Sequence, residues 1–139
     1  MTDLYRAVIL DHDRAPRNCG PLAGATHEAT VDNPLCGDVV TMRAIVDGDI
    51  VRAAAFEAHG CALARAGASM VTTRAANASI ADLRALAAEL EQLVRGPPGA
   101  PIPPVLGELA AFAGVRAARS RRTCATLGFR ALLAALEQK

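Results

Sequence analysis

Four side chains in this sequence have the chemistry and the setting to act together at one site. They are Cys36 and Asp38, separated by one glycine in Cys36-Gly37-Asp38, with Cys61 and Cys124. Thiolates are soft metal ligands and good nucleophiles, and a carboxylate adds one hard, charged donor. Three sulfurs and one oxygen suit tetrahedral zinc, with Zn–S distances of about 2.3 Å, and would also grip iron or an iron–sulfur cluster. Residue chemistry alone leaves that choice open. No Cys-x2-Cys pair is present, so the layout is not a zinc ribbon or finger, and the fold itself must gather the ligands.

The immediate neighbours favour a site over four small residues filling a core. Pro34 and Gly37 in Asn33-Pro34-Leu35-Cys36-Gly37-Asp38 shape a tight turn at the predicted start of a strand, and the glycine lets thiolate and carboxylate converge. Cys61 follows Gly60 at a predicted helix start, and Cys124 stands at or near the start of the last helix. The partial positive charge of a helix N-terminus is expected to lower the pKa of both thiols. Cys19, in Asn18-Cys19-Gly20-Pro21, has no base or resolving cysteine beside it and reads as an incidental loop thiol. His59 is expected on a loop surface, and His12 and His27 are assigned to no site.

The elements that must position these ligands follow from periodicity. Leu4, Val8 and Ile9 share a face of a short helix from Asp3 to His12, with Thr2 as its N-cap and Pro16 beyond its end. From Ala25 to Phe56 the period changes to two: Val40, Met42, Ala44 and Val46 alternate with more polar neighbours, and Asp47-Gly48-Asp49 supplies a hairpin turn before Ile50-Val51. Two helices follow, Ala62 to Ala76 and Ile80 to Val94, the second opened by Ser79 and Asp82 as a capping box. The prolines between Gly96 and Pro104 make a connector rather than a domain boundary, because too little chain follows to build a separate core. Leu106 to Phe112 and Cys124 to Leu136 are expected to dock on what precedes them. The sum is one α+β domain over residues 1–139, with a small antiparallel sheet of about three strands packed against helices.

Composition narrows the function. Hydrophobic residues make up 52% of the 139, and the charges nearly cancel at net +1, which argues against both disorder and a polyanionic partner. With only Tyr5, Phe56, Phe112 and Phe129 as aromatics, the stacking platforms of single-stranded nucleic-acid binders are missing. The opening Met1-Thr-Asp-Leu-Tyr-Arg does not read as a secretory signal, and no run approaches a membrane span. A cytoplasmic location is expected. Thiols stay reduced there, so the cysteines read as ligands or reactive thiols before disulfides.

The sequence also resembles a known family. Leu4-Tyr5-Arg6 with Val8-Ile9 and Asp11-His12, Pro16-Arg17-Asn18, Asn33-Pro34-Leu35-Cys36-Gly37-Asp38, Phe56-Glu57, Gly60-Cys61, Ala68-Ser69-Met70 and Cys124-Ala125-Thr126-Leu127 are similar, in order and over nearly the whole chain, to the NifU-type scaffold superfamily. Within it the chain resembles the SufU branch. The 62 residues between Cys61 and Cys124 leave room for that branch's inserted segment. The Leu-Pro-Pro-Val-Lys motif and the histidine before the last cysteine, both features of IscU-type scaffolds, are absent.

The resemblance implies an IscU/SufU-like α+β fold and a zinc-dependent sulfurtransferase. Such a protein accepts persulfide sulfur from a SufS-type cysteine desulfurase for iron–sulfur cluster assembly. By position it implies Cys36, Asp38, Cys61 and Cys124 as zinc ligands and Cys36 as the sulfur acceptor, freed when a desulfurase histidine takes its place on the metal. The alternative is a non-enzymatic IscU-like scaffold on which clusters are built. A zinc hydrolase would need an open coordination position and a general base, and the sequence offers neither clearly. Thr123 stands where the SufU-type pattern more often has a lysine, leaving Arg121 or Arg122 to supply positive charge, and Arg65 replaces an apolar residue.

Overall fold

The computed structural model describes residues 3–137, so the expected Thr2 cap lies outside the described residues. Helix α1 (Asp3–Arg14) is followed by three strands, β1 (His27–Asn33), β2 (Asp38–Asp47) and β3 (Ile50–His59). Helix α2 (Ala62–Ala75) leads through a two-residue strand, β4 (Ala78–Ser79), into α3 (Ile80–Arg95). Two 3-10 segments, Pro104–Val115 and Arg119–Arg121, precede the last helix, α4 (Arg122–Leu136).

The sheet is antiparallel in the order β1-β2-β3-β4. Alternation along β2 works as its sequence implies: Val40, Met42 and Ala44 are buried while Thr41 and Arg43 are half-buried on the other face. Val46 breaks the pattern because the register shifts between Ile45 and Val46. On the polar face Arg43 reaches Glu28 at 3.2 Å and Glu57 at 2.9 Å. The fourth strand is too short to announce itself by periodicity. It forms where Val51 pairs with Ala78 and Ile50 with Ser79, and Ser79 Oγ then accepts the Asp82 N–H to cap α3.

Helix α2 packs on β3, and α4 on β1 and β2. The two helices cross almost backbone to backbone. A Cβ on Gly128 would stand 2.8 Å from Ala68 Cα, and one on Gly67 3.0 Å from the Ala125 carbonyl, so glycine at both positions sets the interhelical distance. Phe56, Met42, Met70, Phe112 and Leu127 lie in one hydrophobic cluster. Each such side chain contributes about 1.5–3 kcal/mol when fully buried.

The chain after the proline connector joins that same cluster through Leu106, Leu109 and Phe112. It does so as 3-10 turns broken at Gly107 (φ 53°, ψ −128°). Arg74 of α2 ties this segment down, donating to the carbonyls of Leu106 at 2.9 Å and Val105 at 2.8 Å. Among the described residues no helix is long and apolar enough to cross a membrane.

Candidate metal centre

Residues 34–37 form the turn between β1 and β2, closed by the pairing of Asn33 with Asp38. The Asn33 carbonyl accepts the N–H groups of Cys36 at 3.1 Å and Gly37 at 2.8 Å, and its side-chain oxygen accepts that of Leu35 at 3.3 Å. Gly37 adopts φ +73°, the left-handed conformation that lets the chain turn back into β2. Cys36 and Leu35 are thereby exposed at the tip, whereas Asp38, the first residue of β2, points into the protein at 2% exposure. Two neighbours in sequence thus face one spot from opposite sides of the surface.

Cys61 is the N-cap of α2. Its amide donates to Asp38 Oδ1 at 2.9 Å, while its Sγ lies 3.4 Å from Asp38 Oδ2. Cys124 sits in the first turn of α4, fully buried, with its Sγ 3.0 Å from the same Oδ2 and 3.7 Å from Cys36 Sγ. Ligand atoms of Cys36, Asp38 and Cys124 all lie within 4.8 Å of one another, a grouping that could hold a metal ion. Cys61 is not a member of that group and joins it through the shared carboxylate oxygen. All four cysteines are free thiols.

Burial and close packing set the charge state of two of these groups. Burial pushes the Asp38 carboxyl up, but hydrogen bonds from the Cys124 thiol, the Cys61 amide and the Cys61 thiol, with the charge of Arg121, outweigh it and hold the group below its usual value. For Cys124 burial dominates, helped by the Asp38 carboxylate and by Cys61 and Cys36, and drives the thiol well above its ordinary pKa. The helix N-terminus was expected to lower it. A partial charge at the end of α4 does not offset burial among acidic neighbours. The buried Cys124 thiol beside the Asp38 carboxylate resists ionising, and a divalent cation with soft-ligand affinity would remove that obstacle.

Several nearby residues take roles that residue types alone do not disclose. Asn33 is buried, and its Nδ2 lies 3.8 Å from Cys124 Sγ; its only sequence signal is its place before Pro34. The carbonyl of Ser120, in the second 3-10 segment, lies 3.8 Å from Cys36 Sγ. Arg119 and Arg121 are exposed on that segment, whereas Arg122 is half-buried and donates to the Arg116 carbonyl. Cys19 is exposed, consistent with a loop thiol, and His59 is exposed at the end of β3 rather than in a loop. His12 is buried. Its Nδ1 lies 2.7 Å from Ser69 Oγ and its Nε2 3.2 Å from Glu108 Oε1. That row has the order of a hydrolytic triad, yet Ser69 is fully buried and already accepts the Arg17 N–H at 2.9 Å, so no substrate can reach it.

The chain and its fold match known proteins. Residues 4–136 match the model of the NifU-like N-terminal domain. The chain belongs to that family. It is 33% identical to the iron–sulfur cluster assembly scaffold protein IscU of Streptococcus pyogenes, over 99% of this chain and 86% of the relative. It is 36% identical to the zinc-dependent sulfurtransferase SufU of Bacillus subtilis, over 93% of this chain and 86% of the relative. Among solved structures, a candidate iron–sulfur cluster assembly scaffold of the SUF system from Fervidobacterium islandicum superposes with a TM-score of 0.84 at 25% identity, covering 94% of each chain. The expected IscU/SufU-like fold with a small antiparallel sheet is the observed one, with a fourth, two-residue strand added.

Proposed function

We propose that this protein accepts sulfur from the persulfide of a SufS-type cysteine desulfurase onto Cys36 and delivers it to iron–sulfur cluster assembly, with zinc held by Cys36, Asp38, Cys61 and Cys124. The observation that carries the reading is a contrast within one cluster: Cys36 is exposed on a turn, while Cys124 and Asp38 are buried beneath it. An exposed nucleophile above a buried remainder of the site is what a transfer step needs. The SufU relative and the Cys/Asp donor set support the choice of zinc. Zinc, when bound, keeps thiolates deprotonated and brings no redox chemistry of its own.

The chain's own residues account for the rest. The turn of residues 34–37 hangs on hydrogen bonds to Asn33, so the Cys36 side chain can swing outward without unwinding a helix start. Its thiolate attacks the outer sulfur of the donor persulfide. A new S–S bond forms on Cys36, the donor's S–S bond breaks, and the donor cysteine leaves as a thiolate, so no external oxidant is required. Asp38, Cys61 and Cys124 hold the site together meanwhile. Exposed Arg119 and Arg121 lie beside the entrance and favour an anionic persulfide, and Leu35, 91% exposed next to Cys36, offers the desulfurase an apolar contact. The reading carries a cytoplasmic location, where reducing conditions keep all four thiols free.

Metal and sulfide content with a desulfurase assay tests this. About one zinc per chain, stimulation of a SufS-type desulfurase, loss of stimulation in Cys36→Ala and no such loss in Cys19→Ala are expected. The second reading, an IscU-like scaffold, is favoured by the Streptococcus relative matched over nearly the whole chain. Stoichiometric iron with acid-labile sulfide in anaerobic preparations, and little zinc, would select it.

A further inference from the structure

The peptide linking Gly60 to Cys61 is held at both ends. Its N–H donates to Asp38 Oδ1 at 2.9 Å, and its carbonyl accepts from Arg65 Nη1 at 2.6 Å. Arg65 lies one turn into α2, its own N–H bonded to the Cys61 carbonyl at 3.3 Å. Helical side chains slope toward the N-terminus, which carries the guanidinium back past Cys61 to the residue before the helix. Asp13, near the end of α1, takes Arg65 Nε at 2.8 Å. The Asp13 side chain is 20% exposed and that of Arg65 37%. The contacts therefore run from Asp13 through Arg65 and one peptide to Asp38, whose other oxygen faces the Cys61 and Cys124 thiols.

We propose that Arg65 is a positioning residue for the metal centre: through the Gly60–Cys61 peptide it fixes the Asp38 carboxylate and the Cys61 thiol at the spacing one divalent cation requires. A cation on the carbonyl polarises the peptide and strengthens the N–H bond to Asp38. Asp13 orients the guanidinium and offsets its charge, which would otherwise repel a bound cation. The arrangement matches the outer partners that orient metal-ligating carboxylates elsewhere. This inference rests on the metal reading above.

Three forms of the full chain test it: wild type, Arg65→Met and Arg65→Lys. Zinc affinity is read by competition with a chromogenic chelator, ligand geometry by the visible absorption of the cobalt(II)-loaded protein, and folding by the melting temperature of the metal-free protein. Arg65→Met should weaken zinc by about tenfold and shift the cobalt bands. Arg65→Lys, which can still donate to the Gly60 carbonyl, should recover part of the affinity. If Arg65→Met changes only the metal-free melting temperature, leaving zinc affinity and cobalt spectrum as in wild type, the positioning role is overturned while the metal reading stands. A wild-type protein that binds neither metal would overturn the metal reading and this inference with it.

Discussion

Gly60 makes room for Asp38: a Cβ at position 60 would overlap the Asp38 carboxylate and come within 2.9 Å of its Cα. Gly60 also adopts φ +135°, where side chains are strained. Gly60→Ala must therefore displace either the carboxylate or the loop that carries Cys61. Overpacking of this kind costs about 1–3 kcal/mol. The variant should be destabilised in urea and should lose zinc to a weak chelator that leaves wild type loaded. Full zinc affinity in Gly60→Ala would show that the loop opens freely and that the close approach does not shape the site.

Ser69 supports the fold at a distance from the chemistry. Its hydroxyl joins α2 to α1 through His12 and to the following loop through the Arg17 amide. Ser69→Ala leaves the buried His12 and the half-buried Arg17 amide each short of a hydrogen bond, at a cost of about 1–3 kcal/mol. Urea denaturation of the metal-free protein should register that loss. Sulfur loading of Cys36 per folded molecule should not change.

Much of this arrangement is legible in the sequence because its signals are local. The alternation along β2 marks the strand, Ser79 with Asp82 marks the start of α3, and Cys36-Gly37-Asp38 marks the turn that brings Cys36 and Asp38 together. What stays hidden depends on groups far apart in the chain. The strand Ala78–Ser79 exists only because β3 offers it an edge. Residues 104–115 are apolar enough for a helix, but Gly107 and the pull of Arg74 on two carbonyls leave them as 3-10 turns. Arg65 looks misplaced on α2 until Asp13 and the Gly60 carbonyl are found beside it. The rise in the Cys124 pKa likewise comes from burial against Asp38, a partner 86 residues away.

Metal removal should loosen the molecule as a whole. The proposed ligands come from the β1–β2 turn, the start of β2, the start of α2 and the first turn of α4, so a shared ion would tie four elements together. Structural zinc contributes about 10 kcal/mol or more in small metal-dependent domains. Here the apolar core carries part of the load, and a loss of several kcal/mol, roughly half of that or less, is expected. Chelation verified by metal analysis should lower the melting temperature, and zinc should restore it. An unchanged melting temperature would show that the core does not need the site.

The central claim is that Cys36 carries the sulfur, and the most direct measurement is to trap and map the persulfide on wild-type protein. The zinc-loaded chain is incubated with a SufS-type desulfurase and cysteine, alkylated, digested and analysed by mass spectrometry. No ligand is mutated, so the site stays intact. The expected result is one added sulfur on the peptide containing Cys36, with Cys19, Cys61 and Cys124 unmodified. Sulfur on any of those three and never on Cys36 would contradict the assignment, and no added sulfur on any cysteine despite complex formation would return the protein to the scaffold reading.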